Sequence, residues 1–303
     1  MRELSWRKLY HILKCKFACK VEYGVELRKH TSFHIGGKAK IIIFPETQED
    51  IIKALFYLKN TAYYILGSGT NVLACDEDYE GVVIKLTNYR GITKANDLVE
   101  VLAGTLLSQL CIYYKNSSLS GVEKIFGILG TVGGAVVMNA GANGGEISDS
   151  VTGVLAYSKG KICYYPKKEC KFSYRSSVFK NNFIILKIFL KFSKGNKEDI
   201  EKQMNEYINK RKSSQPLGFS SAGSVFKRKG DIIVSKMIDC KGLKGYNIND
   251  AEISKVHAGF IVNKGKATCK DVLALIDFLK KYFIRKGIEL EEEICFLRNN
   301  FGG

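Results

Sequence analysis

The chain has 303 residues, enough for about two domains and for a substantial buried core without disulfide or metal support. A composition of 46% hydrophobic and 25% charged residues excludes wholesale disorder, collagen-like repeats and a multi-span membrane protein. The formal net charge of +17 comes mainly from scattered lysines, which indicates a solvated basic surface rather than a nucleic-acid footprint. Such a surface attracts anionic small molecules such as nucleotides.

The cysteines and histidines show no metal-site pattern. Nine cysteines form no C-x-x-C pair, and the four histidines are dispersed along the chain. Unpaired cysteines and the lack of a signal-peptide pattern favour the cytoplasm as the location. The uncharged stretch 125–145 is as long as a membrane span, but its glycines and asparagines favour a buried loop. We therefore expect no metal and no stable membrane insertion.

In chain order, residues 1–20 form a basic, weakly helical N-terminal extension to which the sequence assigns no role. The stretch 40–66 predicts a βαβ unit with a parallel strand pair, because Thr47 and Asp50 cap a helix between two β-branched segments. From 81 to 192, strands are predicted to dominate.

A polar helix is predicted over 197–212, and the breaking segment 213–218 that follows marks a domain boundary. Near the end of the chain, a further amphipathic helix is capped by Thr268 and ends at Gly287. The second half of the chain is thus predicted to hold a separate domain with its own core.

Two glycine-rich loops are the candidate ligand sites. In the first, 67–71, the dinucleotide-binding pattern fails because Val72 occupies the third glycine position and no helix follows. That loop is either a phosphate-binding nest or a simple β-turn. The second, 127–142, has the glycine density that lets backbone approach a ligand closely, and Thr131 can cap a helix that faces a pyrophosphate. The residues alone predict an α/β protein that binds a phosphate-bearing cofactor.

Taken together, the motifs resemble the UDP-N-acetylenolpyruvoylglucosamine reductase family. Besides both glycine loops, the matching strings occur in the family's order and cover residues 21 to about 298: TSFHIGG at 31–37, YRSSVF at 174–179, QP at 215–216, SAGSVF at 221–226, GLKG at 242–245, HAGFIVN at 257–263 and GIELEEE at 287–293. The chain resembles the short type, which lacks a tyrosine-bearing loop. It departs from the family at Leu129, where proline is usual, and at Arg228 and Lys229, where asparagine and proline are common.

The resemblance implies an α+β fold in which a two-lobed FAD-binding domain of the PCMH type is followed by a C-terminal α+β substrate-binding domain. The implied bounds are 21–195 for the FAD domain, with lobes of about 21–88 and 89–195, and 196–303 for a linker helix and the substrate domain. The implied partner is a nucleotide-sugar and not a nucleic acid, and we expect a monomer or weak oligomer.

The implied activity is reduction of the enolpyruvyl group of UDP-N-acetylglucosamine enolpyruvate to UDP-N-acetylmuramate, in peptidoglycan synthesis. Non-covalently bound FAD would take hydride from NADPH and deliver it to C3 of the substrate. The alternatives are another FAD-dependent oxidoreductase of the same cofactor fold and a basic, non-catalytic nucleic-acid-binding protein.

The resemblance also assigns site residues. It implies Ser224 as the proton donor, Arg175 as the residue that stabilises developing negative charge, and Glu293 as an active carboxylate. Without it, these would be interpreted as a turn serine, a surface ion pair and part of a solvated acidic run. Implied cofactor contacts are Phe33, Ile35, Gly36, Gly67, Ser68, Gly69, Thr70, Asn71, Gly104, Gly127, Gly130, Thr131, Gly133, Gly134, Ala135, Asn139, Gly141 and Phe260. Implied substrate contacts are Tyr174, Lys227, Arg228 and His257.

One structural expectation separates the three adjacent glutamates of the acidic run. If residues 290–296 are extended, Glu292 shares a face with Leu290 and Ile294, whereas Glu291 and Glu293 share the other face.

Overall fold

A four-stranded mixed sheet forms the first lobe in the computed structural model, which describes residues 2–180 and 183–299. The elements of this lobe are α1 (Arg2–Lys16), β1 (Lys20–Glu26), β2 (Lys38–Phe44), α2 (Gln48–Tyr57), β3 (Tyr63–Leu66), β4 (Val72–Ala74) and β5 (Tyr79–Lys85). The sheet order is β1-β2-β5-β3, with β1 antiparallel to β2 and the other two pairs parallel. The cap of α2 is confirmed, because the Asp50 amide donates to Thr47 Oγ1.

The predicted pairing within the βαβ unit is wrong. β2 and β3 run parallel but do not touch, because β5 lies between them and pairs with both. Six of the seven residues of β5 are buried, and burial on both faces is typical of a central strand in a parallel arrangement.

Helix α1 packs into the core of the first lobe. Leu13 is fully buried within that core, and Phe17 and Cys19, which follow the helix, are also buried there. Trp6 and Leu9 pack against the same cluster from its edge. The N-terminal extension that the sequence left without a role therefore stabilises the first lobe.

We expect Leu13→Ala to lower the free energy of unfolding by about 2–5 kcal/mol, the usual loss when a fully buried leucine is truncated. Ile12, its neighbour on the same helix, is 39% exposed, so Ile12→Ala serves as the matched control and should cost less than half as much. Urea unfolding followed by circular dichroism measures both. If Leu13→Ala and Ile12→Ala lowered the free energy of unfolding equally, Leu13 of α1 would not belong to the core.

A five-stranded antiparallel sheet forms the second lobe. The elements here are β6 (Ile92–Ala95), β7 (Leu98–Leu102), α3 (Leu107–Asn116), β8 (Leu119–Ser120), α4 (Val132–Met138), β9 (Gly141–Ala142), β10 (Gly145–Glu146), β11 (Val151–Ser158), β12 (Lys161–Pro166), β13 (Ile184–Lys191) and β14 (Ser193–Lys194). The sheet order is β12-β11-β13-β7-β6. Helix α3 was not predicted, although Leu107, Cys111 and Tyr114 are buried at helical spacing. Helix α4 begins after Thr131, as predicted.

Most elements of the C-terminal part surround a core of their own, whereas Ile200 and Met204 of its first helix belong to the core of the two lobes. The elements of this part are α5 (Lys197–Ser214), α6 (Val234–Cys240), β15 (Asn247–Ile248), β16 (Ala251–Ile253), β17 (Ile261–Asn263), α7 (Cys269–Ile284) and β18 (Cys295–Leu297). The predicted cap of α7 is confirmed, because the Asp271 amide donates to Thr268 Oγ1. Val272, Leu275, Leu279 and Phe283 form its buried face.

The C-terminal core also takes residues from the first lobe. Phe33, Ile35 and Leu73 belong to it, although the sequence assigns them to the FAD domain. In addition, β18 pairs in parallel with β4. The two parts are therefore joined along the first lobe, and a cleft lies between them. Within residues 2–180 and 183–299, no helix is long and apolar enough to cross a membrane.

Candidate active site

A cleft of about 2280 Å³ runs between the two lobes and the C-terminal part. Both glycine loops line one wall, and segments 220–224, 226–228, 256–258 and 291–296 line the other. Pockets for single drug-sized ligands have volumes of about 300–1,000 Å³. The cleft is therefore large enough for a dinucleotide and a second ligand together.

The two glycine loops contact each other. Thr70 Oγ1 donates to the Leu129 carbonyl at 3.0 Å. A Cβ at Gly67 would lie 2.5 Å from Thr131 Oγ1, and Gly69, with φ +70°, lies against the His30 carbonyl. A side chain at Gly67 would push the loops apart, and one at Gly69 would push the first loop away from segment 30–31, so glycine here serves close backbone approach.

The loops have the donors that a dinucleotide needs. Thr131 Oγ1 accepts from the Gly134 amide at 3.2 Å, which caps α4 with its N-terminus beside the cleft. Ser68 Oγ is buried and has no hydrogen-bond partner among the described residues. A buried hydroxyl of this kind needs an acceptor or donor from a ligand, and a phosphate oxygen supplies one. The residues present therefore fit a phosphate-bearing cofactor.

A buried lysine lies beneath the first loop. Lys85 Nζ is 3.3 Å from the Gly67 carbonyl and 3.4 Å from the His30 carbonyl, and it has no carboxylate partner among the described residues. Burial lowers the pKa of its ammonium to about 8. Lys85 thus holds the loop through its carbonyls and leaves the loop amides free for a ligand.

The lowered pKa of Lys85 predicts a pH dependence of stability. An unfolded lysine has a pKa of 10.5, so between about pH 8 and 10.5 the unfolded chain binds the extra proton. The free energy of unfolding of the wild type should therefore rise with pH in this window, relative to Lys85→Met. At about 1.4 kcal/mol per pKa unit the full relative gain is about 3.5 kcal/mol, of which about 2.5 kcal/mol falls between pH 7.5 and pH 10. Urea unfolding of both proteins at pH 7.5 and pH 10 measures it, and parallel pH profiles would contradict it.

Arg175 and Glu293, 118 residues apart in the sequence, form an ion pair beside the cleft. Arg175 Nε donates to Glu293 Oε1 at 2.8 Å, and Arg175 Nη2 donates to the Gly141 carbonyl at 2.9 Å. Both side chains are less than one-fifth exposed. The backbone of Arg175 has φ +52°, in a tight turn closed by two hydrogen bonds between Ser173 and Ser176. This turn directs the guanidinium into the cleft.

The predicted alternation of faces in the acidic run is confirmed. Leu290 and Ile294 are buried in the C-terminal core, and Glu292 pairs with Lys280 of α7. On the opposite face, Glu291 contacts Lys227 and Glu293 contacts Arg175.

Burial raises the pKa of the Glu293 carboxyl, and the neighbouring Arg175 opposes that shift without cancelling it. A raised pKa lets this carboxyl hold a proton at a higher pH than an exposed glutamate. The group can therefore act as a hydrogen-bond donor as well as a counter-charge.

Ser224 lies on an extended segment held from both sides. The Val225 amide donates to the Gly259 carbonyl at 2.8 Å, and the Glu293 amide donates to the Val225 carbonyl at 2.7 Å. The backbone of Ser224 is therefore tied to that of Glu293 through one residue. Among the described residues its hydroxyl makes only a long contact, 3.4 Å, to the Phe226 carbonyl, and Ser224 lines the same cleft as Arg175 and Glu293.

The predicted substrate residues surround this point. Tyr174 Oη accepts from the Arg228 amide at 3.3 Å, and the Tyr174 ring lies 5.0 Å from the Arg175 guanidinium carbon. Burial lowers the pKa of His257, whose Nδ1 accepts from the Gly259 amide. His257 lines the cleft and holds the turn at Gly259, whereas Tyr174 and Arg228 are joined at the cleft edge.

Five of the predicted cofactor residues do not line the cleft. Phe33 and Ile35 are buried in the C-terminal core. A Cβ on Gly36 would meet Ala74 Cβ at 2.6 Å, and one on Gly104 would meet the Leu86 carbonyl at 1.7 Å. Close packing between chain segments requires these two glycines. All four residues lie behind the cleft surface, and their contacts with the cofactor stay a prediction.

Asn139 is the fifth. It is 1% exposed, and its Nδ2 donates to the Ser173 carbonyl at 3.0 Å and to Glu146 Oε2 at 2.6 Å. It therefore fixes the turn that carries Arg175 and acts as a positioning residue. The other predicted cofactor residues line the cleft: Gly67, Ser68, Gly69, Thr70, Asn71, Gly127, Gly130, Thr131, Gly133, Gly134, Ala135, Gly141 and Phe260.

Arg211 is a site residue that no sequence motif indicated. It lines the cleft from the last turn of α5, together with Gln215, which entered only as part of a family string. The available signal was their spacing of four residues, which places two polar side chains on one face at a helix end.

Comparisons with known proteins match the chain in two parts, an FAD-binding domain and a C-terminal domain. Residues 39–162 match the family model described as an FAD-binding domain. Residues 215–297 match the model for the C-terminal domain of UDP-N-acetylenolpyruvoylglucosamine reductase. Together with the glycine loops, these matches define a flavoprotein with FAD as its cofactor, and the predicted α+β fold class is confirmed.

Relatives named UDP-N-acetylenolpyruvoylglucosamine reductase match over almost their whole length. The protein of Thermotoga sp. (strain RQ2) is 42% identical over 282 residues, 92% of this chain and 94% of its own. That of Caldanaerobacter subterraneus subsp. tengcongensis is 39% identical over 299 residues, covering 97% and 98%. The crystal structure of the Thermus caldophilus reductase gives a TM-score of 0.81 at 34% identity, covering 92% and 99%. The chain belongs to the UDP-N-acetylenolpyruvoylglucosamine reductase family.

Proposed function

We propose that the protein reduces the enolpyruvyl group of UDP-N-acetylglucosamine enolpyruvate to give UDP-N-acetylmuramate, with NADPH as the hydride donor. The observation that carries this proposal is the Arg175–Glu293 pair in one cleft with Ser224 and both glycine loops. When bound, FAD supplies the hydride carrier between NADPH and the substrate. Loop amides at 67–71 and 130–134 would hold its phosphates.

The residues of the opposite wall have the chemistry that the substrate half of the reaction requires. Addition of hydride to C3 of the enolpyruvyl group leaves negative charge at C2 that is delocalised into the substrate carboxylate. The permanent charge of Arg175, fixed by Glu293 and Gly141, stabilises that charge. Ser224 Oγ donates the proton to C2, which is basic enough to accept it from a hydroxyl held in place.

The cleft edge can bind the nucleotide-sugar diphosphate. Lys227, Arg228 and Tyr174 offer two cations and a phenol close to the catalytic groups. Arg228, which replaces the family's usual asparagine, is well suited to a phosphate because its guanidinium binds oxygen pairs in a fork.

The test is a pair of half-reactions followed through the flavin absorbance without oxygen. NADPH should bleach the purified protein, and the enolpyruvyl UDP-sugar should restore the colour with formation of UDP-N-acetylmuramate. UDP-N-acetylglucosamine, which lacks the enolpyruvyl group, is the control and should leave the flavin reduced. Bleaching without recovery on the enolpyruvyl substrate would assign the protein to another flavin-dependent oxidation.

The FAD should be bound without a covalent bond. Cys295 is the cysteine that lines the cleft within the described residues, and burial raises the pKa of its thiol, which keeps it protonated and a poor nucleophile. Acid precipitation of the yellow protein should release all of the colour into the supernatant. Colour that stays in the pellet would show a covalent link.

We also propose that the protein acts in the cytoplasm as a monomer or weak oligomer and binds no nucleic acid. All nine cysteines are free thiols, which supports a reducing compartment. We propose domains of 21–195 for FAD and 196–303 for a linker helix and the substrate domain; a C-terminal core built mainly from residues after 221 supports the second, and α5, whose Ile200 and Met204 pack in the core of the lobes, is the linker. Size-exclusion chromatography with light scattering tests the oligomeric state.

A further inference from the structure

Two buried polar atoms at the C-terminal end of α5 have no partner in the described part of the chain. They are Arg211 Nε and Gln215 Oε1. Arg211 also forms no ion pair with any described carboxylate. An unsatisfied buried polar atom costs about 1–3 kcal/mol, and more when the group is charged. Atoms left in this condition inside a ligand cleft indicate a ligand that completes their hydrogen bonds.

The position of the two residues ties them to the second glycine loop. A Cβ on Gly127 would lie 3.2 Å from Arg211 Cδ and 2.8 Å from Ile208 Cδ1, so the arginine side chain runs along the bare backbone of this loop. The Gln215 amide donates to the Arg211 carbonyl at 3.0 Å, which places the two side chains one helical turn apart. Both line the cleft.

The hydrogen-bonding chemistry of Arg211 and Gln215 limits which chemical groups of a ligand can bind to them. Arg211 Nε is a donor and Gln215 Oε1 is an acceptor, so their partner must offer an acceptor and a donor together. A phosphate offers acceptors alone and would leave Gln215 Oε1 unpaired. The edge of a cyclic imide, with an N–H between carbonyl groups, offers both. The flavin ring of FAD has such an edge, and so does the uracil of a UDP-sugar.

We propose that Arg211 and Gln215 bind the pyrimidine edge of the flavin ring of FAD. The flavin is favoured over the uracil because Arg211 lies against Gly127 of the second glycine loop. That loop belongs to the stretch 39–162, which matches the FAD-binding domain. The proposal deepens the proposed function at its cofactor and rests on FAD binding alone. It does not depend on which substrate reoxidises the flavin.

The charge of Arg211 adds a second consequence. A guanidinium keeps its proton in proteins, and this one has no anionic partner among the described residues. A flavin gains electrons, and with them negative charge, on reduction. Arg211 should therefore stabilise the reduced cofactor more than the oxidised one and raise the midpoint potential.

The test uses the holoenzyme with Arg211→Met and, as matched control, Lys212→Met. Lys212 is the next residue of α5, is exposed and does not line the cleft, so its loss removes the same charge from the same helix turn. For Arg211→Met we expect at least tenfold greater FAD release on dilution, read from flavin fluorescence. We also expect a more negative two-electron midpoint potential, by about 30 mV for each tenfold preferential loss of reduced-flavin binding. Lys212→Met should match the wild type in both.

A second variant keeps the proposal testable if Arg211→Met folds poorly. Gln215→Glu preserves side-chain volume but places a negative charge beside Arg211, so it should also weaken FAD binding and lower the potential. The proposal would be overturned if both variants released FAD at the wild-type rate and had the wild-type midpoint potential. If instead only the dissociation constant for UDP-N-acetylglucosamine rises, the pair binds uracil and the flavin assignment is wrong. Failure of the wild type to reduce the enolpyruvyl substrate would overturn the proposed function and leave this inference standing.

Discussion

Ser224→Ala should reduce the flavin with NADPH at the wild-type rate, yet lose about 10²–10⁴-fold in reoxidation by the enolpyruvyl UDP-sugar. That range is what a positioned general acid typically contributes. The effect is confined to one half-reaction because the hydroxyl serves the proton transfer to C2, whereas hydride transfer from NADPH needs no proton from it. Stopped-flow absorbance measures each half-reaction separately.

The control for Ser224→Ala is Ser213→Ala. Ser213 is exposed at the end of α5, and its hydroxyl donates to the Lys210 carbonyl. Its removal should change neither half-reaction. If Ser224→Ala slows both half-reactions equally, the serine serves only the structure of its own extended segment, which is hydrogen-bonded to Gly259 and Glu293. The proton then comes from another group.

Glu293→Ala should slow substrate-driven reoxidation by roughly 10- to 100-fold, and Glu293→Gln should be milder. The alanine variant removes the acceptor of Arg175 Nε, a charge-assisted hydrogen bond worth about 1.5–3 kcal/mol. Glutamine keeps an oxygen for Arg175 and retains a donor. Glu291→Ala and Glu292→Ala are matched controls, because those carboxylates contact Lys227 and Lys280 instead. Both should stay within a few-fold of the wild type.

The raised pKa of Glu293 adds a pH signature to the same experiment. The protonated carboxyl can donate a hydrogen bond and the carboxylate cannot, so the wild-type reoxidation rate should decline as pH rises through this pKa. Glu293→Gln cannot ionise and should lack the decline. If Glu291→Ala slowed substrate-driven reoxidation strongly and Glu293→Ala did not, the active carboxylate would be Glu291, two residues earlier.

Local features of this fold followed from the sequence because their interactions span a few residues. Thr47 with Asp50 and Thr268 with Asp271 close capping boxes within one helical turn. The alternation of Leu290, Glu292 and Ile294 follows from the geometry of an extended chain. Both glycine loops could be singled out as candidate ligand sites for the same reason, since glycine spacing is a local pattern.

The pairing of strands and the composition of the cleft were decided by contacts between distant segments. Periodicity cannot show that β5 separates β2 from β3, because strand order depends on which faces are buried after the lobes close. Nor can it bring Arg175 to Glu293 or place Arg211 against Gly127. The family resemblance named Arg175 and Glu293, but only the folded chain shows that they form an ion pair with little exposure. The burial of Asn139 beneath the Arg175 turn was decided in the same way, because its amide bonds to a segment more than thirty residues away.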